Sequence, residues 1–77
     1  MLNKNMLVSK MKLFGDINVS LAKYIGISST RLSGKLNGRN GAEFTQSEIA
    51  KIIKRYNLTP EEVILIFFND DVSNKDT

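Results

Sequence analysis

The stretch Asn18 to Gly38, NVSLAKYIGISSTRLSGKLNG, constrains this chain more than any other. It reads as a short helix, a tight turn and a second short helix. Leu21, Ala22 and Ile25 give the first helix an apolar stripe. Gly26 breaks it, because a residue without a Cβ accepts the left-handed backbone that ends a helix. Ser28 can cap the next helix by accepting a hydrogen bond from a free backbone N–H. Leu32 and Leu36, four apart, fall on one face of that helix, and Asn37-Gly38 stops it. Ala22 is small enough for two helices to cross steeply over so short a turn. The outward face of the second helix is then left with Ser29, Thr30, Arg31, Ser33, Gly34, Lys35 and Asn37, and with no acidic residue.

Helical spacing continues on both sides of this stretch. Residues 1–5 are expected to be flexible. Met6 to Phe14 reads as a helix with Leu7, Met11 and Phe14 facing inward, and Gly15-Asp16 as a turn. Asn18 is placed to cap the second helix. The fourth helix has a clear start. Thr45 and Glu48 form a capping box, and Phe44 and Ile49 flank it as a hydrophobic staple. Ile49, Ile52, Ile53 and Tyr56 then face inward, leaving Lys51, Lys54 and Arg55 outside. The fifth helix repeats the device with Thr59 and Glu62, stapled by Leu58 and Val63, with Pro60 at the first helical position.

After that cap the chain is apolar in every direction, from Val63 through Phe68. A helix packed on one side needs apolar residues on only part of its circumference. Val63, Ile66 and Phe67 suffice for a core, so Ile64, Leu65 and Phe68 are surplus and suit an oligomer or partner interface. The same run also suits a β-strand; the capping signal favours helix. Residues 70–77 read as a flexible polar tail.

Composition removes several function classes. With 77 residues the chain is one domain near the lower size for a single core. It has no Cys, hence no disulfide and no thiol nucleophile, which fits a cytoplasmic location. It has no His, so the usual general base and the commonest metal ligand are missing. No phosphate-cradling Gly-rich loop or metal-ligand cluster is visible, and neither an enzyme nor a cofactor is expected. The longest apolar run is far short of the ~20 residues that span a bilayer. The opening MLNKNMLVSKMKL is broken too often by Lys and Asn to be a signal-peptide core. Charge is uneven. Residues 1–58 hold ten Lys and Arg against three Asp and Glu, a balance of +7; residues 59–77 hold one against five, a balance of −4. A basic body of this kind suits a polyanion.

The spacing L-A-x-x-I-G-I-S-x-x-x-L, from Leu21 to Leu32, resembles the helix-turn-helix of the phage Cro and lambda-repressor type family. Lys35-Leu36-Asn37-Gly38, Phe44-Thr45-Gln46 and Ile66-Phe67-Phe68-Asn69 resemble a subset of small phage regulators. The likeness covers residues 6–69. It implies an all-α fold, a single compact bundle of about five short helices. It also implies a transcription regulator in a bacterial host cytoplasm that binds double-stranded operator DNA. On that resemblance Ser29, Thr30, Ser33 and Gly34 lie at the base edges. Asn18, Arg31, Lys35, Asn37, Arg39 and Asn40 contact phosphate. Asn18 stands where the family often has Gln. The base-edge residues are short, whereas base discrimination usually comes from bidentate Arg, Lys, Asn or Gln. The alternative is therefore an antirepressor that docks this face, or the fifth helix, on a cognate repressor protein. A homodimer built on the fifth helix is the matching expectation for self-association.

Overall fold

The computed structural model describes residues 2–68, and all statements of structure concern these. Among them there is no strand: the chain forms α1 (Lys4–Leu13), α2 (Asn18–Ile25), α3 (Ser29–Asn37), a short 3-10 turn (Arg39–Gly41), α4 (Gln46–Tyr56) and α5 (Pro60–Phe67). The fold is all-α. Val63 to Phe67 are helical, which resolves the helix-or-strand alternative for that run. The expected tail at residues 70–77 lies outside the described residues.

Local chemistry sets each boundary. α1 starts at Lys4, earlier than the expected Met6, because the Asn3 side chain accepts from the Met6 N–H. Asn3 is itself held by its N–H to the Ile66 carbonyl at 2.7 Å, so the segment before α1 is tied to α5. α1 ends in a Schellman motif: Asp16 N–H donates to the Met11 carbonyl and Gly15 N–H to that of Lys12. α2 ends at Gly26, whose φ of 85° is the left-handed conformation a side chain would oppose. Ser28 accepts from the Arg31 N–H and starts α3. Both capping boxes form, Thr45 with Glu48 and Thr59 with Glu62.

The expected cap on α2 does not form. Asn18 is already inside the helix, and Ile17 occupies the cap position. An isoleucine side chain accepts nothing, so the helix start is closed from inside: the Ile17 N–H donates to Ser20 Oγ at 3.0 Å. This frees the Asn18 amide.

The core is a single cluster. Leu7, Leu21, Leu32, Ile52 and Ile66, one from each helix, are all fully buried. α2 packs chiefly on α3 and α4, while α1 packs on α5. Met11, Ala22, Ile25, Leu36, Tyr56, Leu58 and Phe67 complete the interior. Two expectations change. Phe14 is 51% exposed, since α1 has ended at Leu13 and the ring lies edge-on to Tyr56 instead of entering the core. Arg55 does not stand free: it pairs with Asp16.

Candidate nucleic-acid interface

Three elements meet beside the outer face of α3. The first turn of α2 brings Asn18 and Val19, α3 brings Ser29, Thr30 and Ser33, and the 3-10 turn brings Arg39. These six line one shallow, open depression, and none is acidic. Their convergence follows from the turn Gly26–Ser28. It sets the start of α3 beside the start of α2, with Leu21 and Ala22 packed under it. The left-handed Gly38 then ends α3 and turns the chain so that Arg39 returns to the same surface.

The remaining site residues divide into three groups. Arg31 is exposed on α3, and Asn40 is exposed in the 3-10 turn with a left-handed φ of 53°. Gly34 is half-buried, and a Cβ built there meets nothing within 4 Å. Asn37 is exposed but engaged. Its amide donates to the Ser33 carbonyl at 2.8 Å and accepts from Lys4 Nζ at 2.6 Å.

Lys35 is the clearest correction. It was expected on the outward face, at a phosphate. Instead it is buried at 8% exposure and pairs with Glu48 at 2.7 Å, also donating to the Glu43 carbonyl. The signal was present in the spacing: Lys35 lies three after Leu32 and beside Leu36, so it shares their inward side. Glu48 Oε1 accepts from both Lys35 Nζ and the Thr45 N–H. Burial by itself raises the Glu48 carboxyl's pKa; the Lys35 ammonium and the Thr45 contacts together outweigh it, and the net direction is down. α3 is thus locked to the start of α4 by an internal ion pair.

Beneath α2 lies a second network with no signal in the residue spacing. Asp16 is 8% exposed and accepts from Arg55 Nε at 2.7 Å, Arg55 Nη2 at 2.6 Å, Tyr56 Oη at 2.6 Å and Ser20 Oγ at 3.0 Å. The Arg55 bonds, with those of Tyr56 and Ser20, hold the carboxyl well below the usual carboxylate range despite its burial. Arg55 also stacks on Tyr24, 4.6 Å from the ring centroid. The pair buries the Asp16 carboxylate and offsets the charge of Arg55, whose side chain stays 29% exposed.

Two further apolar features are exposed, the first of them not expected. Leu13 (74% exposed), Ile17 (66%) and Val19 (59%) lie at the corner between α1 and α2. Val19 alone of these enters the depression. Ile64 (57%) and Leu65 (44%) on α5 and Phe68 (61%) at its C-cap are exposed, as their surplus suggested. Among the described residues no group of three His, Cys, Asp or Glu could hold a metal ion, and no helix is long and apolar enough to cross a membrane. No family model, curated protein or solved structure matches the chain.

Proposed function

We propose that the chain is a phage-type transcription regulator that binds duplex DNA, with α2–turn–α3 acting as a helix-turn-helix and α3 entering the major groove. One observation carries this reading: Asn18, Ser29, Thr30, Ser33 and Arg39, from three elements, share one open surface free of acid. Ser29, Thr30 and Ser33 face the base edges, with Gly34 beside them. Asn18, Arg31, Arg39 and Asn40 face phosphates. Lys35 drops out of the phosphate set because its ammonium is held by Glu48.

Affinity across a salt series tests the reading. If about five phosphates are engaged, log affinity falls against log salt with a slope of about −4 to −5. Arg39→Ala weakens binding to all sequences alike and lowers the slope by about one. Absence of duplex binding at low salt removes the proposal.

A second reading is favoured by the exposure of Ile64, Leu65 and Phe68. In it the chain docks on a partner repressor protein, or on a second copy of itself, through α5. Phe68 stands at the edge of an apolar groove that also holds Leu36, Phe44, Ile49 and Phe67. This mode uses residues other than those proposed to meet DNA.

A further inference from the structure

We propose that the depression beside α3 selects thymine-containing sites by closing on the 5-methyl group of thymine, through the isopropyl group of Val19 and the methyl of Thr30. This rests on the DNA-binding reading above and names what that surface recognises.

A lone exposed valine is ordinary. Val19 is distinguished by its company. It is 59% exposed in the first turn of α2, yet it lines the same depression as Asn18, Ser29, Thr30, Ser33 and Arg39, all polar. It therefore supplies the largest apolar group of that surface. Of the longer side chains at or beside that surface, the reading above gives Asn18, Arg31 and Arg39 to phosphates. Lys35 is turned into its ion pair with Glu48. The Asn37 amide is spent on Ser33 and Lys4. The hydroxyls of Ser29, Thr30 and Ser33 remain, and a hydroxyl serves several bases without distinguishing them sharply.

The major groove offers one apolar label, the thymine methyl, which the other three bases lack. An isopropyl group and a threonine methyl set among hydroxyls complement an A·T pair from both strands. The hydroxyls meet the adenine N6 and N7 positions, and the methyls enclose the thymine methyl. The open space at Gly34, where no atom lies within 4 Å of a built Cβ, leaves room for the base edge to approach α3.

The test begins with sequences selected by the full chain from a random duplex library. In the best of them each thymine is replaced singly by deoxyuridine, which removes only the methyl. Affinity is expected to fall about fourfold at one or two positions, the equivalent of burying one methyl group. Val19→Ser is expected to erase the thymine-over-uracil preference at such a position. Thr30→Ser, which keeps the hydroxyl, is expected to weaken the preference at the same position. Both residues are exposed, so the folded state, checked by helical circular dichroism, is retained. Tolerance of uracil at every position by the wild type overturns the inference and leaves DNA binding standing. So does a preference that survives in both variants. If no sequence is enriched from the library, sequence reading by this surface falls, and the inference falls with it.

Discussion

A lysine on a helix proposed to face DNA is usually counted toward phosphate. Lys35 shows why position on the helix decides this instead. Its side chain is 9% exposed and that of Glu48 12%, so the pair is shielded from solvent. Removing one partner of such a pair leaves an uncompensated buried charge, at a cost of about 3 kcal/mol. Lys35→Ala is therefore expected to lower the unfolding free energy by about that amount in urea titration, and to leave the salt slope of DNA binding unchanged. A lowered slope would put Lys35 at the DNA. Gly34 gives the opposite case. Its backbone is helical and its Cβ direction is open, so Gly34→Ala is expected to raise stability by about 0.5 to 1 kcal/mol. If a nucleic acid or protein surface approaches α3 closely, the same variant binds it more weakly. Higher stability with undiminished binding to both DNA and partner would show that nothing closes on this position.

At the level of elements, α5 is the one most exposed to question. Its cap is complete, with Thr59 and Glu62 exchanging bonds at 2.9 and 3.1 Å, and Lys10 of α1 pairs with Glu62. Its inner side is Ile66 and Phe67, with Phe67 edge-on to Phe44 at 6.0 Å. Its outer side leaves Ile64, Leu65 and Phe68 in water. If these cover one another in a symmetric dimer, Phe68→Lys is expected to shift sedimentation to monomer without changing the helical signal. A wild type already monomeric at high micromolar concentration excludes the homodimer and leaves a heterologous partner for this surface.

For the molecule as a whole, the Asp16 network ties the α1–α2 turn to α4, forty residues away along the chain. The Asp16 pKa is depressed on folding, chiefly by Arg55. The unfolded chain thus takes up the proton more readily, so this contribution is fully present above the unfolded pKa of about 4 and is lost as pH falls below it. Glu48 shifts in the same direction and adds to the loss. Denaturant melts at pH 7 and pH 3 are expected to show a steep loss of stability in acid. Asp16→Asn is expected to cost about 1.5 to 3 kcal/mol at pH 7, because Arg55 and Tyr56 lose a charged acceptor, and to show a smaller drop between the two pH values. An unchanged acid dependence would place the acid-sensitive group elsewhere.

Sequence by itself determined the elements that rest on local chemistry. Ser28, Thr45 and Thr59 cap because a side-chain oxygen reaches an N–H three residues on, within one turn of backbone. Gly26 and Gly38 end helices by their own backbone freedom, and Leu21, Ile25, Leu32 and Leu36 face inward by helical period. The surface formed by Asn18, Ser29, Thr30, Ser33 and Arg39 was legible as a set of residues through the resemblance. That they line one depression, joined by Val19, was visible only in the fold. Tertiary structure alone decided which partner each buried charge meets. Lys35 meets Glu48 across two helices, and Asp16 meets Arg55 and Tyr56 across most of the chain. Periodicity describes one helix at a time, whereas the partner of a buried charge is chosen by how helices distant in sequence are packed.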